Sequence, residues 1–271
     1  MKSTILILFI SLFFLPNVGL SQSCSIPKEL KEKLVTINRT DTIDERIINE
    51  TLDDLYSYSF ADKQINLIKC DIYKKMDSVF FNSSRASRRL LAYRLIYIAG
   101  DNSFNARIKD RLISSESELN QSWCAEILMK SNEKMFSSDV FTFLASLDEG
   151  SLKNGLVNNF SNEKNTEFET TCWNNINSSE VERQIIAIRC LSNYQNNNLL
   201  QDVILRKFKS WNDENKKWLF FAMSNQNMYL KPTAKKYRKN EHLRKVIIKA
   251  LEISSYEKDR KYADKLKSTM N

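Results

Sequence analysis

The sequence is poor in glycine, proline and histidine. Its 271 residues include four glycines, three prolines and one histidine. No two glycines fall into a GxGxxG or GxxxxGK[ST] pattern, which excludes the usual phosphate-cradling loops. One imidazole cannot supply a His-rich metal site, and an all-β sandwich needs many tight turns. The composition therefore favours a helical protein, and it predicts neither a metal ion nor a cofactor.

The amino terminus carries the pattern of a secretory signal peptide. Lys2 precedes an apolar run from Ile5 to Leu15, and the small residues Gly19 and Ser21 follow. A charged start, an apolar run and a small-x-small site are typical of a signal that is cleaved, in this chain after Ser21. The run is too short to span a bilayer as a helix. We therefore expect an exported protein, periplasmic or secreted.

Two other interpretations of the amino terminus stay open. The segment can be an uncleaved membrane anchor, or the chain can be a lipoprotein anchored through Cys24. A lipobox has leucine at position minus three, and Leu20 stands one place too early for that. No other stretch reaches eighteen apolar residues, so we expect no transmembrane segment in the mature chain.

All five cysteines lie beyond the predicted cleavage site. An exported protein can form disulfides, but an odd number leaves at least one thiol unbridged. No CxxC pair is present, so the sequence does not indicate a zinc ribbon or a thioredoxin-like redox site. We expect mostly buried thiols in helical cores, with one possible disulfide between Cys172 and Cys190 on neighbouring helices.

One segment shows a helix–turn–helix unit clearly. Residues 179–194 carry apolar side chains at every third or fourth position, which predicts an amphipathic helix. Ser179 and Glu182 predict a capping box at its start. The asparagine run that follows is expected to end this helix, and a second apolar stripe from Leu200 to Trp211 predicts its partner.

The same unit recurs along the chain. The further predicted pairs are 88–99 with 104–113, 121–130 with 138–147, 151–160 with 166–176, 215–223 with 229–239, and 242–253 with 257–269. The first helices share an alanine at gaps of 33, 62, 35 and 28 residues: Ala92, Ala125, Ala187, Ala222 and Ala250. One helix pair cannot bury its own apolar face, so a period near 30 residues predicts a stack of units. A compact helical bundle is the alternative.

The stretch SEVERQIIAIRCLSNYQNNNLLQDVILRKF resembles a HEAT-like repeat, and HLRKVIIKALEI resembles the first helix of another. Both have a charged residue before an apolar-Ala-apolar helix. The resemblance extends over residues 84–271 and implies a right-handed α-solenoid, hence an all-α fold. It also implies a binding scaffold rather than a particular partner. The turns lack the Pro and Asp of many HEAT units, so armadillo and other solenoid families stay alternatives.

The chain is thus expected to have three parts. Residues 1–21 form the signal peptide, residues 22–83 a helical segment that caps the stack, and the repeats follow. In the capping segment, Thr42 and Glu45 predict a capping box for one helix. Residues 61–81 suggest a longer helix.

The positive charge is concentrated in the last quarter. Residues 206–271 contain 18 Lys and Arg against 7 Asp and Glu, whereas residues 22–205 contain 22 against 26. Such a cluster can attract an anionic partner, or it can be a solvated surface. The candidate binding residues are Lys231, Lys235, Lys236, Tyr237, Arg238, Lys239, Arg244 and Lys245. An exported protein would meet anionic lipid, glycan or protein there, and we expect no nucleic acid.

Three hypotheses for the function follow. The first is an exported, non-catalytic scaffold that binds a protein through the solenoid surface. The second is an envelope-associated protein that docks on anionic lipid or glycan through the basic last quarter. The third is an enzyme on a helical-repeat scaffold, but no local constellation supplies both a nucleophile and an orienting carboxylate for His242, and no catalytic carboxylate pair can be picked out. The sequence favours the first hypothesis.

Overall fold

The described part of the chain is helical. The computed structural model describes residues 27–39, 45–59, 73, 77–114, 116–131, 134–163, 165–194 and 197–269, and these contain no β-strand. Their α-helices are α1 (Lys28–Arg39), α2 (Glu45–Ser59), α3 (Ala86–Ala99), α4 (Asn105–Leu112), α5 (Glu118–Ser131), α6 (Ser137–Ser146), α7 (Ser151–Asn162), α8 (Thr166–Asn175), α9 (Val181–Ser192), α10 (Asn198–Ser210), α11 (Asp213–Asn225), α12 (Lys231–Tyr237), α13 (Glu241–Glu252) and α14 (Glu257–Ser268). The all-α prediction is confirmed. The predicted signal peptide and Cys24 lie outside the described residues.

The capping box predicted at the start of α9 is wrong. The N-cap residue is Glu180, and its side chain makes no capping hydrogen bond. Because the helix begins at Val181, Ser179 lies one residue too early to cap it. Glu182 instead accepts a hydrogen bond from Lys153 of α7. The residues that would form the other predicted box include Thr42, which lies outside the described residues.

Asparagine takes the place of glycine and proline in the connections. Asn165, Asn197, Asn212 and Asn240 are the N-cap residues of α8, α10, α11 and α13, and each accepts hydrogen bonds from backbone amides of the first turn. An asparagine N-cap satisfies amides that the helix itself leaves unpaired. The chain can therefore separate many helices with very little glycine or proline.

The chain divides into two compact units after Phe104. In the first unit α2 packs against α1 and α3, and Arg94 donates to the Leu52 carbonyl over 2.7 Å. The repeats are predicted to start at residue 84, and this boundary stays a prediction; α3 lies in the first unit, where it packs on α2. Most of the longer helix suggested at 61–81 lies outside the described residues, and Asp77–Phe81 forms a π-helical turn.

In the second unit the helices pack on their next-but-one neighbours as well as on adjacent ones. The odd series (α5, α7, α9, α11 and α13) is joined at every step from α5 to α13. In the even series (α4, α6, α8, α10, α12 and α14), close contacts join α4 to α6, α6 to α8 and α12 to α14. Neither α8 and α10 nor α10 and α12 have such close packing. A groove lies at the α8–α10 step.

The recurring alanines lie in the core. Ala125, Ala187, Ala222 and Ala250 are at most 1% exposed on α5, α9, α11 and α13. A methyl side chain at these positions lets neighbouring helices approach closely. The regular spacing in the sequence therefore has a packing cause. Across the described residues, no helix is both long enough and apolar enough to cross a membrane.

Candidate binding surface

Side chains in the turns of the second unit form a regular ladder, which we call the turn ladder. Asn165 donates to the Met129 carbonyl over 3.1 Å, and Gln226 donates to the Ser192 carbonyl over 2.9 Å. Tyr194 approaches the carbonyls of Phe160 and Asn165 at 3.4 and 3.5 Å. Each contact links the turn after one odd-series helix to the end of the previous odd-series helix or to the turn that follows it. The sequence separations are 36, 34, 34 and 29 residues, compared with a predicted period near 30.

An open groove of about 730 Å³ lies between the end of α8 and the exposed face of α10. Its apolar lining includes Trp173, Ile176 and Val203. Two leucines of α10 also line the groove, and both are exposed to solvent: Leu199 is 69% exposed and Leu205 is 45% exposed. Exposed leucines gathered in one concavity are typical of a surface that a partner covers. We call this site the α8–α10 groove.

The charges of the α8–α10 groove are separated along α10. Asp202 lies in its first half, and Arg206 and Lys209 lie in its second half. Among the described residues, neither Arg206 nor Lys209 forms an ion pair with a carboxylate. Two cations that form no ion pair, beside an apolar lining that also contains Asp202, leave a net positive charge that can attract acidic groups of a partner.

The predicted basic residues lie on α12, the turn after it and the first half of α13. Lys235, Lys236, Arg238, Lys239 and Lys245 are exposed. Among the described residues, none of these five cations forms an ion pair with a carboxylate. The structure therefore places them at the surface, as a binding role requires, and a solvated basic surface has the same appearance.

The other three predicted binding residues make contacts within the fold. The Tyr237 ring stacks on Phe208 with centroids 5.7 Å apart, and its hydroxyl donates to the Phe208 carbonyl over 3.2 Å. Arg244 donates to Thr269. The backbone amide of Lys231 donates to Asp259, while its side chain lies over the Tyr262 ring. Tyr237 is therefore a packing residue that links α12 to α10.

A buried ionic cluster lies on the odd series. Lys153 is 1% exposed, and its ammonium donates to Glu182 over 2.5 Å and to the Leu147 carbonyl over 2.8 Å. Arg189 pairs with Glu149 at 3.1 Å and also bonds Asn154. Its guanidinium lies 3.9 Å from the centre of the Trp218 ring. Burial lowers the pKa of Arg189, and the Glu149 carboxylate opposes that shift. These contacts tie α7, α9 and α11 together.

Two glutamates near the end of α7 bind protons more tightly than usual. Burial raises the pKa of Glu126, while a hydrogen bond from Asn159 opposes the shift. Burial and then the charge of Glu126 raise the pKa of Glu163. A carboxyl with a raised pKa is a candidate general acid, but neither residue lines the α8–α10 groove or the smaller cavity of about 310 Å³ beside Leu112 and Phe143.

The structure holds Cys172 and Cys190 as two buried thiols on α8 and α9. Burial, followed by a hydrogen bond with Cys190, raises the pKa of the Cys172 thiol well above its ordinary value. The disulfide between them stays a prediction. Nowhere among the described residues do three or more His, Cys, Asp or Glu side chains gather so as to hold a metal ion. His242 is exposed in the first turn of α13.

The comparisons with known proteins give no relative. No protein-family profile, curated protein or solved structure matches this chain.

The α8–α10 groove was not predicted from the sequence, because the predicted apolar stripe from Leu200 to Trp211 marks the buried face of α10. Leu199 and Leu205 lie off that stripe. Two leucines on the polar face of an amphipathic helix were the available signal.

Proposed function

We propose that this chain is an exported, non-catalytic scaffold that binds a partner protein through the surface of a HEAT-like, right-handed α-solenoid. The solenoid part of the proposal is supported by the next-but-one packing of the odd series and by the turn ladder. In a repeat stack each unit contacts only its neighbours, and the stack presents extended surfaces suited to protein binding. Export is supported only by the amino-terminal pattern.

The observation that carries the binding role is the exposure of Leu199 and Leu205 in the α8–α10 groove. A leucine side chain gains roughly 1.5–3 kcal/mol when it is moved from full exposure to full burial. The fold does not bury these two, although it buries Leu200 completely on the same helix. A partner protein that covers the groove would recover part of that free energy.

Photo-crosslinking in intact cells tests this function. A benzoylphenylalanine placed at Leu199 or at Leu205 should capture one defined protein. The matched control site is Ile253, which is 61% exposed but lies just after α13, away from the groove. Capture of the same protein at the two groove sites and not at Ile253 supports a specific interface. Equal capture at all three sites, or none, overturns the proposal.

A second candidate function is docking on an anionic surface. The observation that favours it is the exposure of Lys235, Lys236, Arg238, Lys239 and Lys245 without carboxylate partners among the described residues. Flotation with phosphatidylglycerol vesicles tests it, with phosphatidylcholine vesicles as the control. Binding that is lost on raising the salt from about 0.1 M to about 1 M, and in the charge-reversed chain K235E/K236E/K239E, supports this function. Equal flotation with both lipids contradicts it.

A further inference from the structure

The α8–α10 groove selects the conformation of its occupant. One wall is the α10 helix, and the other is the end of α8 with the turn residues Ile176 and Asn177, so this lining contains no strand edge to pair with an extended peptide. A proline-rich ligand needs a groove lined by aromatic rings, and Trp173 is the one aromatic side chain of this lining. The mode that suits an apolar channel between two helices is an amphipathic helix laid along it.

The length of the groove sets the size of that helix. From Leu199 to Lys209 the α10 helix rises by about 15 Å, which equals roughly three turns of a docked helix. Three turns present an apolar stripe at positions i, i+3, i+4 and i+7. Such a stripe can pack against the two exposed leucines of α10 and against the other apolar lining residues, Trp173, Ile176 and Val203.

The charges select the chemistry of the flanking positions. Arg206 and Lys209 stand together in the second half of α10 and have no carboxylate partner among the described residues. Asp202 stands alone in the first half. A partner with carboxylates at the Arg206 end pairs with both cations, whereas a basic partner meets repulsion there.

We infer that the α8–α10 groove binds an amphipathic helix of a partner protein whose apolar stripe is flanked by glutamate or aspartate. This inference rests on the proposed protein-binding function and adds the chemistry of the partner. The leucine stripe fills the groove, and its acidic flank lies at Arg206 and Lys209.

A displayed peptide library tests the chemistry without knowledge of the natural partner. The library peptides have about four helical turns, leucines fixed at i, i+3, i+4 and i+7, and flanking positions that vary among Glu, Gln and Lys. Selection on the full chain, with counter-selection on the chain carrying Leu199→Ala and Leu205→Ala, recovers peptides that depend on the groove. Enrichment of Glu over Lys supports the inference. Enrichment of Lys, or no dependence on the charge, overturns it.

Fluorescence anisotropy with the most enriched peptide gives the second measurement. We expect R206E/K209E to weaken its binding by about tenfold, because two attractive charge contacts become repulsive. The matched control K258E/K265E makes the same change of charge on exposed positions of α14 and should leave binding within about twofold. Equal weakening by both double variants would show a general charge effect and overturn the inference.

The possible failures are distinguishable. If benzoylphenylalanine at Leu199 captures a protein in cells but no acidic helix is selected, the scaffold function stands and the inferred chemistry is wrong. If neither experiment finds a groove-dependent ligand, both are wrong. A second copy of this chain in the groove would appear as self-association that Leu199→Glu abolishes in sedimentation, and this outcome also overturns the acidic-helix inference.

Discussion

Gln226 donates its side-chain amide to the carbonyl of Ser192, 34 residues earlier in the chain, over 2.9 Å. The same side chain accepts from the backbone amide of Asn197 over 2.8 Å, and it is 1% exposed. One residue therefore joins the end of α9, the start of α10 and the turn after α11. Without the Gln226 side chain, the Ser192 carbonyl and the Asn197 amide would each lose a hydrogen bond.

Replacing Gln226 by leucine should reduce the free energy of unfolding by about 2–4 kcal/mol. Leucine has a similar size, but it leaves a carbonyl and an amide without these hydrogen bonds in a buried turn, and each costs about 1–3 kcal/mol. Urea denaturation followed by circular dichroism measures the change. Asn174→Leu on the exposed face of α8 is the control and should stay within about 0.5 kcal/mol. Equal stability of the two variants would mean that the Gln226 contacts of the turn ladder do not stabilise the fold.

The helices could be predicted from the sequence, but the turn ladder could not. Apolar periodicity placed α5 to α14 within a few residues, because the stripe that forms the core repeats with the helical period. The ladder depends on which polar side chain of a turn reaches a carbonyl about 34 residues earlier, and its members are Asn, Tyr and Gln. No single residue type repeats there. The spacing of the buried alanines was visible only because a methyl group is the common requirement.

The candidate binding surface could be predicted only in part from the sequence, for the same reason. Clustered charge in a sequence is visible directly, so the exposed lysines of α12 were found. Whether a side chain faces solvent or a neighbouring helix depends on the packing of that neighbour, which the sequence does not give. Tyr237 was therefore predicted as a binding residue together with the lysines, although its ring stacks on Phe208 of α10. The α8–α10 groove lies between two helices that lack close packing. A single sequence carries no signal for such a gap except leucines that lie off the buried stripe.

The two partners of the Lys153–Glu182 ion pair should differ in their response to mutation. Lys153 is almost fully buried, while the Glu182 side chain is 44% exposed. Glu182→Gln leaves a buried ammonium with the Leu147 carbonyl and Glu149 alone and should cost about 1–3 kcal/mol. Lys153→Met fills the same space with an apolar chain, leaves Glu149 paired with Arg189, and leaves Glu182 partly exposed to solvent, so it should cost under about 1 kcal/mol.

Chemical denaturation of both variants checks this asymmetry. Glu257→Gln is a suitable control, because Glu257 pairs with Lys261 where both side chains are about 70% exposed, and such a pair contributes little. The expected order of destabilisation is Glu182→Gln first, then Lys153→Met, then Glu257→Gln. If Lys153→Met is the most harmful of the three, the ion pair contributes more than the burial of the lysine costs.

Glu126 should make the stability depend on pH. Its pKa is raised in the folded protein because burial disfavours the charged carboxylate. Because the folded-state pKa lies above the unfolded-state pKa, which is near 4.3, Glu126 does not lower the free energy of unfolding at a pH below the unfolded-state pKa. The free energy of unfolding decreases as the pH rises through the folded-state pKa. Glu126→Gln removes the charge and can keep the hydrogen bond from Asn159. The variant should therefore be more stable than the parent at pH 7, by less than about 1 kcal/mol, and this difference should vanish near pH 4.

Thermal denaturation of Glu126→Gln and the parent chain across that pH range measures the difference. Asp264→Asn, at an exposed position of α14, is the control, since its carboxylate is solvated in both states. A gain in stability for Glu126→Gln that is equally large at pH 4 and pH 7 would contradict the expectation, because the gain would then come from packing rather than from the proton.

The buried thiols of Cys172 and Cys190 should resist reagents until the chain unfolds. The thiolate is the reactive form, and burial suppresses it by raising the pKa of Cys172 well above its ordinary value. In the reduced, folded protein we expect alkylation by iodoacetamide at pH 8 to be at least about a hundredfold slower than at an exposed cysteine introduced as Ser255→Cys. Mass spectrometry of the modified peptides measures both rates. In urea, the rates should become equal.

Rapid modification of Cys172 in the folded chain would show that α8 and α9 open readily, and it would then allow the predicted disulfide to form after folding. Slow modification would mean that the predicted disulfide could form only while the chain is still unfolded.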